Sequence, residues 1–385
     1  MKILMIAPEP FFEQRGTPIS ILYRLKALSK LGHRVDLLCY PIGEDVQITN
    51  LDIKRCLNPL FFKKVNVGPS FKKIFLDFFL FIQSLSYLSL RKYDAVHVHE
   101  EAAFIGIIIK HLFKTKLVYD MHSFLEEQPK NYKSFNNPLV NYPLKKIDEA
   151  IIKNADRIIT ISPYLSDIIR SRGRKPYEIQ NFLILHSGYK PKKGRFTIKR
   201  DYLGQKIILY TGTLEKNQGI PLLLESIKLA SSKVDSIKAV ISGGTEKQVN
   251  YFKGLAQKLG LNEKVIFTGQ ISLEDSYRLM NDADMLVSPR TEGINTPLKI
   301  YAYLNAGKPL VATDIPSHRQ VLNDKVALLA KPYPEFFANA IIKLLRDKKS
   351  REKLAKAAKE YFKTNYRQEI YIKKMKAVYR WDSDD

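Results

Sequence analysis

MLVSPRTEGINTPLKIYAYLNAGKPLVATD, residues Met285–Asp314, decides how the rest of the chain is read. Its pattern predicts strand, loop, helix and strand. Met285–Ser288 is a short apolar run that stops at Pro289. The loop Arg290–Asn295 is polar and carries Gly293. Asn295 or Thr296 offers a side-chain oxygen to cap the helix, and Pro297 suits its first position, where a missing N–H costs nothing. Leu298, Tyr301, Ala302 and Leu304 make the buried face. Gly307 ends the helix, Pro309 prevents its return, and Leu310–Thr313 is the next strand. The free N–H groups and the dipole of such a helix face an anion at the loop end. Lys299, in the first turn, opposes that dipole. Alone, it would be read as a lysine snorkelling to solvent above a mere connection. Beside Arg290, Glu292 and Asn295 the stretch reads instead as a site, and a bound diphosphate reverses the sign of the Lys299 problem.

A length of 385 residues suits two domains. Hydrophobic residues at 45% and aromatic residues at 11% fill real cores and exclude wholesale disorder. Cys39 and Cys56 are too few for a disulfide framework; they suit a reducing compartment and offer no metal cluster. Lys2 is followed by an apolar run that stops at Pro8, the length of a strand rather than of a signal peptide. The net charge of +24 seeks polyanions: nucleic acid, an anionic membrane face or phosphorylated substrates. The charge is spread along the chain with no nucleic-acid-binding motif, so nucleic acid is not expected as a partner.

From the start, Ile3–Pro8 is a buried strand, a polar loop holds Arg15-Gly16-Thr17-Pro18, Ile19–Leu31 is a helix and Val35–Tyr40 the second strand. This is a right-handed βαβ opening. One glycine is not the dinucleotide fingerprint: Gly16 either lets a backbone N–H approach a phosphate or sits in an ordinary β–α turn. In Leu60–Leu90, phenylalanines alternate with Lys63, Lys64, Lys72 and Lys73. Asp77 and Gln83 interrupt the apolar run, which falls short of the ~20 residues of a membrane span. Two readings stay open, a core helix and a basic aromatic helix lying in a membrane interface. In DAVHVH, Asp94–His99, His97 and His99 share one strand face, and His99 ends where open α/β sheets bind ligands. Glu100 and Glu101 follow, but this is not a tight ligand spacing, and no metal is expected. The strand Lys116–Asp120 brings His122 to the same kind of crevice, where a structural histidine is the alternative. Ala155–Ile161 is a strand, and Ser162-Pro163 caps the helix Tyr164–Ser171. The basic segment Arg172–Arg200, loosest at Lys190–Gly194, holds the domain linker.

The second half repeats the pattern. Strands are expected at Lys206–Thr211, Ile237–Ser242 and Val265–Thr268, helices at Ile220–Ala230, Val249–Leu259 and Ser272–Met280. Phe336–Phe362 is helical, and Gln368–Trp381 is a basic, aromatic helix. Both halves are doubly wound α/β, with carboxyl-end loops suited to one cleft.

Taken in order, Gly16-Thr17-Pro18, GHRVDLL, VHVH, YDMHS, ADRIITIS, LYTGTLEKNQGIPLLLESI, SGG, VIFTGQIS and NTPLK with GKPLVATD resemble the retaining, nucleotide-sugar-dependent glycosyltransferases of family 4, in an NTPLK-type branch. The resemblance covers nearly the whole chain. It implies an α/β GT-B fold, two facing Rossmann-like, doubly wound domains with a central cleft. Residues 1–190 would be the acceptor-binding domain, 191–365 the nucleotide-sugar-binding domain, and 366–385 a C-terminal helix crossing back. It implies that Gly16 lets backbone N–H groups reach the donor diphosphate and that His122 lies near the transferred sugar. Glu292 would bind sugar hydroxyls, Gly269 would mark the turn that holds the base, and Lys299 matches the lysine of its branch. His122, Glu292 and Lys299 are the catalytic candidates. Gly16, Thr17, Gly212, Thr213, Lys216, Gly243, Gly269, Arg290, Asn295 and Thr296 are the donor-binding candidates. The chain departs from the family where many members have Arg and Lys to neutralise the diphosphate: Thr213 and Gln218 stand there. The second glutamate, which usually holds the ribose, is also missing, with Lys299 and Ile300 in that region. Lys299, Arg290 and Lys216 are the candidates to replace the charge.

The expected activity is metal-independent hexosyl transfer with retention, from a UDP- or GDP-linked donor to a lipid-linked or polysaccharide acceptor of the cell envelope, with no cofactor. The expected place is the cytoplasm or the inner membrane face, with an anionic membrane surface as a partner. The alternatives are a nucleotide-sugar epimerase of the same fold, a catalytically dead relative, and a non-catalytic polyanion or membrane binder.

Overall fold

The computed structural model describes residues 1–13, 16–65, 70–125, 138–180 and 202–381. Along the first part run β1 (Lys2–Pro10), α1 (Gly16–Lys30), β2 (Arg34–Tyr40), β3 (Leu51–Arg55), α2 (Phe71–Leu90), β4 (Ala95–His99), α3 (Ala103–Phe113), β5 (Lys116–Met121), α4 (Pro138–Asn154), β6 (Arg157–Thr160), α5 (Pro163–Ser171) and β7 (Pro176–Glu178). There follow β8 (Lys206–Thr211), α6 (Ile220–Ser231), β9 (Ile237–Ser242), α7 (Glu246–Lys258), β10 (Val265–Gly269), α8 (Leu273–Asp282), β11 (Met285–Ser288), α9 (Leu298–Ala306), β12 (Leu310–Thr313), α10 (Pro316–Arg319), β13 (Leu328–Ala330), α11 (Pro334–Arg346), α12 (Lys348–Asn365) and α13 (Gln368–Val378).

Two compact units result, Met1–Asn181 with Gln368–Asp385, and Phe182–Arg367. Among the described residues the first contains a seven-stranded sheet in the order β3-β2-β1-β4-β5-β6-β7, and the second a six-stranded sheet in the order β10-β9-β8-β11-β12-β13. Every pairing is parallel. Helices cover parallel strands, which explains apolar runs such as Ile3–Ala7 and Ile207–Tyr210, buried on both faces. In each unit the strand order reverses beside the first strand, between β1 and β4 and between β8 and β11. Such reversals open a crevice at the carboxyl ends of the strands, where α/β sheets bind ligands. Both units are Rossmann-like.

The linker expected near Lys190–Gly194, with its boundary between residues 190 and 191, lies outside the described residues, as does Arg15. Several local expectations need correction. Gly16 and Thr17 are not in a loop: α1 begins at Gly16, because Pro18 is compatible with a first helical turn. The apolar segment is longer than expected, since α2 runs 20 residues. The expected helix Phe336–Phe362 is two, broken at Asp347, whose carboxylate caps α12 by accepting from the Ser350 N–H at 2.9 Å. The strands β3, β7 and β13 are additional to those the sequence pattern predicts.

Candidate active site

In the first unit the carboxyl ends of β4 and β5 deliver a buried charged cluster around Asp120. Arg24, on α1, is fully buried between Ile21, Leu25 and Leu28 and aims at this carboxylate. Its Nε donates to Asp120 Oδ2 at 2.7 Å, its Nη1 to the Tyr371 hydroxyl at 2.6 Å and its Nη2 to the Ile179 carbonyl at 3.1 Å. Tyr371 belongs to α13. Just past that helix, the Tyr379 hydroxyl lies 2.5 Å from His97 Nδ1. His97 Nε2 is 3.4 Å from Asp120 Oδ2, and the His99 ring stacks on His97 with centroids 4.8 Å apart. The C-terminal helix thus closes the floor of this cluster within its own unit.

His122 stands above that floor, its Nε2 3.5 Å from Asp120 Oδ1 and its Nδ1 3.5 Å from Glu100 Oε1. The Thr17 hydroxyl donates to the same Glu100 oxygen at 3.2 Å. Glu100 adopts a left-handed backbone, φ 45°, where β4 turns over. Such a conformation strains a residue with a Cβ and clusters at functional sites. Burial alone would raise the Asp120 carboxyl; Arg24 and the imidazoles outweigh it and hold the group well below the usual carboxylate range. Burial pulls His122 down, but Asp120 and then Glu100 outweigh it, so His122 holds its proton more tightly than an ordinary histidine. Burial pushes His99 far down and the Glu100 carboxyl up. The edge of the cluster therefore sets an imidazole that favours its charged form beside a carboxyl that burial makes reluctant to ionise.

His97, His99 and Asp120 each place a donor atom within 4.8 Å of the others. The third member of this set is Asp120, not the Glu100–Glu101 pair weighed from the sequence. Its carboxylate is already bonded to the Arg24 guanidinium, and a metal ion would have to share it with that fixed positive charge. Gly16 opens α1 with nothing within 4 Å of where a Cβ would stand. Among the described residues that position is open, although Thr17 spends its hydroxyl on Glu100.

In the second unit the decisive loops follow β8, β9, β10 and β11. Gly212 N–H donates to the Ser242 carbonyl and Gly243 N–H to the Gly269 carbonyl, at 2.9 and 2.8 Å. These bonds stitch three strand ends together. A Cβ on Gly243 would lie 1.9 Å from the Gly212 oxygen, and one on Gly219 would lie 1.9 Å from the Pro289 oxygen. Only glycine permits either approach. Thr291 N–H donates to the Asn217 carbonyl at 3.0 Å, so the loops after β8 and β11 form one wall.

Lys299 projects into that wall. Its Nζ donates to Gln218 Oε1 at 2.9 Å and lies 3.8 Å from the centre of the Tyr210 ring. A Cβ on Gly212 would stand 3.1 Å from this Nζ. Among the described residues no carboxylate lies within ion-pair distance of Lys299. Burial, and then the charge of Arg290, lower its proton affinity well below that of a free lysine. Arg290 donates through Nε to the Glu292 carbonyl at 2.6 Å, and burial lowers its proton affinity as well. The two cations therefore share a desolvated corner. Tyr210 donates to the Thr213 carbonyl at 2.5 Å. The Thr213 and Lys216 side chains are exposed, as is Glu292.

The expected helix cap is not formed. Pro297 itself is the N-cap residue of α9 and supplies no side-chain bond. Thr296 is drawn away to the Ser317 carbonyl, 2.9 Å from its hydroxyl, and Asn295 is half-buried in the loop. The physical reason is α10, which competes for the loop: Gln320 just beyond it donates to the Ile294 carbonyl at 2.5 Å. The consequence favours an anion, because among the described residues the N-cap position gives the first N–H groups of α9 no side-chain acceptor. The structure thus gathers Lys299, Arg290, Gly212, Thr213, Gly243 and Gly269 at one set of strand ends. It places Gly16, Thr17 and His122 at the other. Sequence reasoning gave no role to Arg24, Asp120, Tyr210, Tyr371 or Tyr379. The one available signal was an arginine in the apolar stripe of a helix.

Residues 15–183 match the family model of glycosyltransferase family 4, and residues 195–361 that of glycosyl transferases group 1. The chain is 28% identical to phosphatidyl-myo-inositol mannosyltransferase of Mycobacterium leprae over 159 residues, which are 40% of this chain and 41% of that protein. It is 22% identical to alpha-monoglucosyldiacylglycerol synthase of Streptococcus pneumoniae over 339 residues, 85% of this chain and 74% of that one. Its fold is that of Anabaena HepE, solved in complex with UDP, with a TM-score of 0.73 and 16% identity over 98% of this chain and 99% of that one. The chain belongs to the family 4 glycosyltransferases of GT-B fold.

Proposed function

We propose that the chain transfers a hexosyl group from a UDP- or GDP-linked donor to a lipid-linked or polysaccharide acceptor, with retention and without a metal. The observation that carries this reading is Lys299, a half-buried lysine that among the described residues has only neutral hydrogen-bonding and ring partners, beside the uncapped start of α9. Such a corner suits the diphosphate of a nucleotide sugar. The relatives support the partner classes: two are named for sugar transfer to lipids, and the Anabaena fold neighbour was solved with UDP.

In this reading the bond between the sugar and the diphosphate breaks, and the diphosphate leaves with the electron pair. Positive charge develops on the sugar ring. Lys299, Arg290 and the N–H groups of α9 stabilise the leaving group. Fixed charges and dipoles in a desolvated site are worth most where charge develops. The acceptor hydroxyl bonds to the face the diphosphate has left, and its proton passes to the diphosphate. Glu292 binds sugar hydroxyls, and His122 lies near the transferred sugar.

A thermal-shift screen against UDP-, GDP- and ADP-sugars tests the donor, since a ligand that binds the native state raises apparent stability by mass action. Stabilisation by one base series, followed by sugar incorporation only when lipid or glycan acceptor is added, supports the proposal. Donor conversion by the protein alone would favour the epimerase, and no nucleotide-sugar response would remove the reading.

A further inference from the structure

Most apolar side chains of α2 and α3 have a place in the core of the first unit. Leu76, Leu80 and Leu88 on α2, with Ile105 and Ile109 on α3, pack together beneath the two helices, which touch on one face of the sheet. The polar groups on the inner side of α2 are also taken. Asp77 accepts from the Tyr40 hydroxyl at 2.7 Å, and Lys73 donates to Glu101 at 3.0 Å. With one stripe locked into a sheet, α2 cannot be surrounded by lipid as a spanning helix is, although its 20 residues and mean hydropathy of 1.4 would allow a crossing.

Among the described residues the outer stripe has no such occupation. Phe71 is 73% exposed, Ile74 69% and Phe78 57%, spaced along one helical face. On α3, Leu112 is 64% exposed, in line with Ile108 and Phe104. Phe61, in the segment leading to α2, is 83% exposed. Contiguous apolar surface of this kind marks an interaction site rather than ordinary surface.

Charge identifies the occupant. Between Asp52 and Asp94 the only acidic residue is Asp77, which is held by Tyr40. Lys63, Lys64 and Lys72 stand exposed at the amino end of α2, and Arg91 and Lys92 at its carboxyl end. A partner that is apolar in the middle and anionic at the rim meets every one of these groups. A bilayer bearing acidic headgroups has that structure, and an amphipathic basic helix lies in its interface.

We propose that the outer face of α2 and α3 seats this chain on an anionic lipid surface. The proposal stands apart from sugar transfer, because binding to lipid is read without donor or acceptor. The experiment is flotation of the full chain with vesicles of phosphatidylcholine alone and of phosphatidylcholine with phosphatidylglycerol, at two salt concentrations. The chain is expected to float with the anionic vesicles, less so at high salt. The triple variant Phe71→Ser, Ile74→Ser, Phe78→Ser is expected to lose at least roughly tenfold in vesicle binding at unchanged melting temperature. The variant Lys63→Gln, Lys64→Gln, Lys72→Gln, whose exposed positions spare the fold, is expected to lose binding and salt dependence together. A wild-type chain that does not float, or triple variants that float as well as it does, would overturn the proposal. A concentration-dependent dimer that the Phe71 variant dissociates, with no vesicle binding, would assign the face to a second copy instead.

Discussion

The ammonium of Lys299 donates to Oε1 of Gln218 at 2.9 Å, across two loops that meet at the end of β8. The family resemblance implies a lysine where Gln218 stands. The positive charge is therefore present in this corner but arrives from α9 rather than from the loop. Gln218 acts as its neutral anchor.

Removing that charge tests the substitution. Lys299→Ala should cost about 2.7–4 kcal/mol of transition-state stabilisation, roughly a hundredfold or more in turnover. The double variant Gln218→Lys, Lys299→Gln should recover part of what Lys299→Gln loses, because the ammonium returns to nearly the same place. Steady-state kinetics of the wild type, both single variants and the double variant check this. Near-normal turnover in Lys299→Ala would end the assignment.

Lys299 also predicts a proton linkage. Burial and Arg290 depress its proton affinity in the free protein, so its ammonium is held less firmly there than in a free lysine. A diphosphate beside it favours the ammonium and raises that affinity. Binding of UDP should therefore weaken as pH rises through the range where the free protein's Lys299 loses its proton, and any proton exchanged there should be an uptake. Calorimetry in buffers of different ionisation enthalpy measures the number taken up. Lys299→Arg, which cannot titrate in this range, should abolish the uptake while leaving binding measurable.

Asp120 and His122 should separate stability from catalysis. Asp120→Asn leaves the buried Arg24 guanidinium without its counter-ion, at a cost of about 3–5 kcal/mol. A clear fall in melting temperature is expected. His122→Ala leaves the Arg24–Asp120 pair intact and should cost turnover roughly a hundredfold with little loss of stability. Chemical denaturation and kinetics on both variants check the contrast; unchanged turnover in His122→Ala would make that residue structural.

His318 gives the second unit an acid limit. Its Nδ1 lies 2.8 Å from the Thr313 carbonyl and its Nε2 2.9 Å from the Ser288 hydroxyl, and burial lowers its pKa to about 4. The folded value lies below the unfolded one, so the unfolded chain binds the extra proton between them. Stability is then complete above about pH 6.5 and falls as pH drops toward 4, by up to about 1.4 kcal/mol per pH unit. Urea midpoints at pH 7 and pH 4.5 measure the fall, and His318→Gln should flatten it.

Much of the fold is legible in the residues because parallel strands buried on both faces read as unbroken apolar runs. Met285–Ser288 and Leu310–Thr313 fall where the pattern puts them. The short strand β3 is not legible, because half-buried polar residues such as Asp52 and Lys54 dilute its periodicity. The α9 cap was misread because its competitor, the Ser317 carbonyl, lies 21 residues away from Thr296. The Asp120 cluster was hidden for the same kind of reason. Arg24 and Tyr371 are 347 residues apart and meet only through the tertiary fold.

The central claim is that an anionic leaving group settles at the start of α9 against Lys299. A crystal structure of the chain with bound UDP tests it most directly. A diphosphate oxygen is expected roughly 3 Å from Lys299 Nζ, with another accepting from the first N–H groups of α9. A diphosphate bound elsewhere, with Lys299 still paired only to Gln218, would contradict the account.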